Sequence, residues 1–171
     1  MNLFPWARFR RNKAGIKLHT LLDLHGSIPS FIRLTGAACH DVNALDVLPL
    51  EPGAFYVMDR GYVDFTRLFR FTQAGAFFVT RAKEGMKSWR HSSRPIEPDQ
   101  GVRSDQLIRL SGKRSARNYP ALLRRVTYDD PETFRLFAYL TNHLELAALV
   151  IALLYKSRWR VELFFKWVKG N

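Results

Sequence analysis

Apolar and polar residues alternate from Gly15 to Asp23, with Ile16, Leu18 and Thr20 on one side and Lys17, His19 and Leu21 on the other. Such alternation predicts a strand. His25-Gly26 supplies a turn, and Pro29 to Thr35 reads as the returning strand of an antiparallel hairpin. His40-Asp41-Val42-Asn43 opens a helix with Val42, Leu45 and Leu48 on one face, closed by Pro49 and Pro52. Ala54 to Met58 is a short apolar run of buried-strand type, ending in Asp59-Arg60-Gly61-Tyr62. Asp64 can cap a helix through about Gln73, in which Phe65, Leu68, Phe69 and Thr72 share a face. Gly75 ends it, and Ala76 to Thr80 is a second apolar strand. Strand, helix, strand at this spacing is the unit of an α/β layer.

The pattern then changes. Lys83 to Arg103 is polar and interrupted by Gly85, Pro95, Pro98 and Gly101. Strands are expected around Asp105–Leu110, Ala121–Tyr128 and Thr133–Leu140, joined by turn-rich pieces such as Asp129-Asp130-Pro131. This stretch, about 84–141, reads as a β-rich insertion on the first sheet. From Leu144 to Lys169 there is neither Gly nor Pro, and the periodicity predicts a helix over 143–169 approached through Asn142.

Lys and Arg number 27 against 15 Asp and Glu, a formal charge of +12. That excess points to a polyanion, nucleic acid or an acidic membrane surface. The apolar share of 47% with 25% charged residues belongs to a globular chain. One cysteine, Cys39, excludes an internal disulfide and suits a reducing cytosol. The apolar stretch Leu144–Leu154 is too short to span a bilayer, so no membrane association is expected. The run from Leu3 to Lys13 mixes aromatics with cations and lacks acids, which suits either a nucleic-acid contact or a solvated arm.

Asp59 is the first chemical candidate, because a carboxylate directly after a buried strand leaves the sheet at its C-terminal edge. Gly61 allows close backbone approach to a ligand, and Arg60 can touch phosphate. The alternative is an ordinary Asp capping the next turn. In the last helix Tyr155, Arg158, Glu162, Lys166 and Lys169 are spaced by three, four, four and three residues, which places them on one face. They form either ordinary ion pairs one turn apart or a phosphodiester site, with Glu162 on a divalent ion and the cations on phosphate. Magnesium wants oxygen ligands, and Asp59 and Glu162 supply two carboxylates; Asp23, Asp41, Asp46 and Asp64 are candidates for a third. His19, His25, His40, His91 and His143 lack zinc-ligand spacing.

These residues carry a resemblance. The chain resembles the catalytic core of bacterial transposases of the insertion-sequence-four group, which use an Asp, Asp, Glu triad. Asp59-Arg60-Gly61-Tyr62 is similar to the family's second-aspartate motif. Tyr155, Arg158, Glu162 and Lys169 reproduce its helical signature: Tyr, two residues, Arg, three residues, Glu, six residues, Lys. Leu3-Phe4-Pro5-Trp6-Ala7, Lys17 to Asp23, and His40-Asp41 also resemble stretches of these enzymes. The resemblance implies an α/β, ribonuclease-H-like mixed sheet with a β-rich insertion before the glutamate helix. It implies catalytic and metal-binding roles for Asp59 and Glu162, on a pair of Mg²⁺ or Mn²⁺ ions. It implies DNA or phosphate contacts for Arg60, Tyr155, Arg158, Lys166 and Lys169.

The activity implied is strand cleavage at the ends of an insertion sequence, followed by attack of the freed 3′-hydroxyl on a phosphodiester. The implied partners are double-stranded DNA at transposon ends and either a second copy or a full-length transposase. The implied location is cytoplasmic and nucleoid-associated. The family's first aspartate lies on a strand upstream of the segment matching Leu3-Phe4-Pro5-Trp6. The expectation is therefore a partial catalytic domain over 1–171, its first central strand missing and its activity impaired alone. The alternative is a non-catalytic DNA-binding fragment that modulates a full-length enzyme.

Overall fold

The computed structural model describes residues 8–10, 13, 14, 16–23, 28–97 and 100–168. The Leu3–Ala7 run, the His25–Gly26 turn and Lys169 lie outside them. The chain divides into two compact units, one of residues 1–49 with 159–171 and one of residues 50–158.

In the first unit, β1 (Arg8–Arg10) pairs with β2 (Lys13–Ala14). The expected hairpin is β3 (Ile16–Leu22) against β4 (Pro29–Gly36), antiparallel with Leu18 opposite Leu34 and His19 opposite Arg33. His19 and Thr35 are buried and share a hydrogen bond of 2.8 Å, whereas Leu18, Ile32 and Leu34 are exposed on the other face. The expected helix after His40 is a 3-10 helix, Asp41–Asp46, shorter than the apolar spacing suggested.

The second unit is built on a mixed sheet of six strands. These are β5 (Phe55–Met58), β6 (Phe77–Arg81), β7 (Ser88–Ser93), β8 (Val102–Leu110), β9 (Leu123–Asp130) and β10 (Arg135–Thr141). Their order is β5-β6-β10-β9-β8-β7; β5 and β6 are parallel, and every other pairing is antiparallel. The parallel pair requires a crossover, supplied by α1 (Phe65–Gln73). Asp64 caps α1 by accepting from the Arg67 amide at 3.0 Å, and Gly75 stops it in the left-handed conformation at φ 68°. Leu68 and Phe71 turn inward from α1, and Phe71 meets the Tyr56 and Phe78 rings edge-on. A short helix not anticipated from the sequence, α2 (Lys113–Asn118), leads into Tyr119, which is buried against Phe69 and Phe78.

The opposite face of the sheet is covered by α3 (Ala148–Lys156). Ile151, Ala152 and Tyr155 pack on Val79, Val102, Val126, Tyr128 and Tyr139. A fully buried aliphatic side chain of this size contributes about 1.5–3 kcal/mol, so this patch is what seats the helix. The expected single helix over 143–169 is in fact two, α3 and α4 (Trp159–Val168). Ser157 ends α3 by donating its hydroxyl to the Leu154 carbonyl at 2.6 Å, and the Arg158 amide reaches back only as far as Tyr155. A serine hydroxyl competing for a helical carbonyl is a local way of stopping a helix that lacks Gly or Pro. Tyr155 thus belongs to α3, and Glu162 and Lys166 to α4. Among the described residues, no helix is long and apolar enough to cross a membrane.

The approach to α3 is fixed by polar groups. Arg124 on β9 and Asp105 on β8 form a two-pronged ion pair, with Nε to Oδ1 at 2.8 Å and Nη2 to Oδ2 at 2.7 Å. Both side chains are almost wholly buried, at 1% and 3% exposure. The remaining arm of Arg124 donates to the Leu146 carbonyl, and Arg94 donates to the Leu144 carbonyl. Asn142 ties the end of β10 to its surroundings through the Phe78 amide at 2.9 Å, the Ala76 carbonyl at 2.9 Å and the Thr72 hydroxyl at 3.1 Å. Removing one partner of a buried pair leaves an uncompensated charge, at a cost of about 3–5 kcal/mol. Asp105→Asn is therefore expected to lower unfolding stability by about that amount in urea titration; a loss below about 1 kcal/mol would show that Arg124 is not held as described.

Candidate functional site

Asp59 follows β5 directly and caps the 3-10 turn Arg60–Tyr62, its Oδ1 accepting from the Arg60 amide at 2.7 Å. The capping role and the strand-end position therefore coexist. The carboxylate is exposed to solvent, although Met58 before it is buried. The Tyr155 hydroxyl donates to the same Oδ1 at 3.2 Å. Tyr155 is 8% exposed, and its ring lies 4.9 Å from that of Tyr139. The structure thus joins the strand-end acid to the α3 tyrosine across the sheet edge.

The cations are disposed differently from one another. The Arg158 guanidinium lies over the Tyr155 ring, 5.8 Å from its centre. Arg60 pairs with Glu84 at 2.9 Å on the exposed surface, where such a pair contributes little. Lys83 donates to the Val63 carbonyl at 2.8 Å and closes the loop beyond Asp59. At the far end of α3, Lys156 bridges the buried Asp130 at 3.1 Å and Glu132 at 2.9 Å, pinning the helix to the turn between β9 and β10.

Glu162 stands in the first turn of α4, in the other unit, and is exposed, as is Lys166. Among the alternative acids, Asp64 is occupied as the α1 cap and Asp41 pairs with Lys17 at 3.0 Å. His19 is a packed residue: burial holds its pKa below the usual value, and its Nε2 is engaged with Thr35. His143 accepts from the Glu145 and Leu146 amides through Nδ1, stacks on Phe55 and lies tilted against Phe77. Sequence reasoning passed over Arg81, the cation that ends β6 as Asp59 follows β5. The available signal was that parallel placement at the ends of two apolar strands.

The oxygen donor at Asp59 suits a hard divalent cation in kind, since Mg²⁺ takes carboxylate and water oxygens. In number the fit is incomplete: among the described residues, no three of His, Cys, Asp and Glu gather closely enough to hold a metal ion. What the arrangement provides by itself is an exposed carboxylate whose Oδ1 is oriented by an amide and a phenol.

Three tyrosines carry a pH signature. Burial raises the Tyr155 pKa, the Asp59 carboxylate beside it acts in the same sense, and the Arg158 guanidinium opposes them. Burial pushes Tyr119 up to about 12 against the Thr72 hydrogen bond, and burial likewise raises Tyr139. Folded values above the unfolded one mean that these phenols contribute stability that is fully present below about pH 10 and lost as pH rises through the folded values. An alkaline absorbance titration should show a group of tyrosines ionising late, with one fewer in Tyr155→Phe. Ionisation of all the tyrosines together near pH 10 would contradict the burial and the Asp59 contact.

Residues 5–171 match the family described as Transposase DDE domain. A protein of Sinorhizobium fredii named as transposase y4zB is 34% identical over 175 residues, covering 99% of this chain and 48% of its own length. A protein of Geobacillus stearothermophilus, named as transposase for insertion sequence element IS5377, is 32% identical over 179 residues, covering 98% of this chain and 44% of its own length. The chain spans about half the length of these relatives. By the extent of the match and the level of identity, the chain belongs to the DDE transposase domain family.

Proposed function

We propose that this chain acts on double-stranded DNA at the ends of an insertion sequence, in strand cleavage and strand transfer, as a ribonuclease-H-like core of the insertion-sequence-four type. The observation that carries the reading is Asp59: an exposed carboxylate at the C-terminal edge of a parallel strand pair, hydrogen-bonded by Tyr155. The net charge of +12 supports a polyanionic substrate.

Asp59 and Glu162 are the acids of this reading. They would hold a Mg²⁺ or Mn²⁺ ion, which when bound supplies Lewis-acid activation of water and a phosphoryl oxygen. Tyr155 restrains the Asp59 carboxylate through its hydroxyl. That hydroxyl is a neutral donor at physiological pH, as any phenol is, and burial beside the Asp59 carboxylate moves its ionisation further from that range. Arg158, Arg60, Lys166 and Lys169 are the cations that would neutralise phosphate, with Arg158 restrained by the Tyr155 ring. The partners on this reading are insertion-sequence ends in the nucleoid, with a second copy or a longer transposase completing the assembly. The incomplete metal-ligand set among the described residues favours a second reading, a DNA-binding fragment that modulates a longer transposase.

The purified chain, incubated with Mg²⁺ or Mn²⁺ and a supercoiled plasmid carrying the DNA that flanks its own gene, separates the two. The first reading expects nicking that Asp59→Ala and Glu162→Ala each reduce by about a hundredfold, the scale for removing a group that stabilises transition-state charge. Binding without nicking supports the second reading and sinks the first. Nicking that neither substitution changes removes the site assignment.

A further inference from the structure

Beyond the acids and cations already discussed, the edge that carries Asp59 holds one more charged side chain. Strands β5 and β6 run parallel with Val57 beside Val79 and Met58 beside Thr80. Asp59 and Arg81 are the next positions along, so the two strands deliver an acid and a base side by side. Side chains alternate between faces along a strand. Asp59 therefore follows Val57, and Arg81 follows Val79, onto the face covered by α3. On the neighbouring strand β10, Tyr139 lies opposite Arg81, and the Tyr155 ring packs tilted against Tyr139.

The setting of Arg81 differs from that of its neighbours. Arg60 is paired with Glu84, Lys83 is spent on the Val63 carbonyl, and Arg94 donates to Leu144. Arg81 is half-buried and, among the described residues, forms no ion pair. Its guanidinium instead lies over the Phe137 ring, 4.7 Å from the centre. Aromatic stacking limits where the group can move and leaves its N–H donors available. Its charge also lowers the pKa of both Tyr139 and Tyr155 against the burial that raises them, which puts it within electrostatic reach of the hydroxyl bonded to Asp59. A half-buried guanidinium in no ion pair among the described residues, restrained by a ring at the edge that carries Asp59, suits an anion with planar oxygens. On a substrate of DNA that anion is a backbone phosphate, which a guanidinium binds in two-pronged fashion.

We propose that Arg81 is the phosphate-anchoring residue of the Asp59 edge, positioning the DNA backbone beside that carboxylate. The inference rests on the DNA-directed reading of the site and adds a residue that the helical signature does not contain.

The test measures binding of a short labelled duplex of arbitrary sequence to the full chain, by fluorescence anisotropy, in EDTA and across a range of KCl concentrations. Each phosphate contact contributes about 0.9 to the slope of log affinity against log salt concentration. Arg81→Met keeps the aliphatic stem against Phe137 and removes the charge; it is expected to lower the slope by about one and to weaken binding. Arg81→Lys is expected to restore the slope while recovering only part of the affinity, because an ammonium lacks the planar fork. A wild-type slope in Arg81→Met overturns the inference and leaves the DNA reading standing. Absence of salt-dependent binding by the wild-type chain overturns both. Protection of Arg81 from phenylglyoxal by the same duplex, read by peptide mass spectrometry on the wild-type chain, needs no folded variant. Protection is the expected result, and equal modification with and without DNA overturns the inference.

Discussion

Arg124 and Asp105 pair diagonally across adjacent antiparallel strands, Asp105 standing opposite Val126 and Arg124 opposite Leu107, with both charges removed from water. Such a pair is tolerated only when its geometry is good and its remaining hydrogen-bonding groups are satisfied. The two parallel bonds meet the first condition, and the donation from Arg124 to the Leu146 carbonyl helps to meet the second. The consequence reaches beyond β8 and β9. Leu146 precedes α3 by two residues, so the carbonyl that satisfies the guanidinium also fixes where the helix begins. Arg94, on the stretch after β7, grips the same approach at Leu144.

From that anchor the rest of the edge follows. A helix that starts at Ala148 over Val126 and Tyr139 brings Tyr155 near its far end, and Lys156 locks that end to Asp130, the last residue of β9. With both ends held, the Tyr155 ring has one lodging, against Tyr139, and its hydroxyl meets the carboxylate at the end of β5. The acid is thus supplied by one edge of the sheet, while the constraint that orients its partner begins several strands away. Rigid support of this kind is what a group needs if it is to meet a reacting phosphate in a fixed position.

The sequence disclosed the parts of this arrangement whose physics is local. The apolar run before Asp59, the Asp64 cap, the Gly75 stop and the alternation through Ile16–Leu22 each leave a direct trace in residue type, and each element stands where that trace put it. Strand β7 left no such trace because Trp89 to Ser93 are all exposed, so no apolar face marks the edge strand. The break between α3 and α4 depends on a serine hydroxyl turning back on a carbonyl, which apolar periodicity cannot register. Arg124 and Asp105 were illegible for a deeper reason. A charged residue reads as solvent-facing until its partner, 19 residues away, is brought beside it by the pairing of β8 and β9. In the candidate site, Asp59 could be picked out by its place after β5. Its contact with Tyr155 spans 96 residues and required the fold.

The orientation of the Asp59 carboxylate depends on the Tyr155 hydroxyl being held on it by this framework. A double-mutant cycle of unfolding free energies for Tyr155→Phe, Asp59→Ala and the combined variant measures that contact directly. A hydrogen bond at a partly solvated carboxylate predicts a coupling of about 0.5–1.5 kcal/mol. Additive effects of the two substitutions, with no coupling beyond error, would mean that the two groups do not meet and that α3 does not orient the acid at the end of β5.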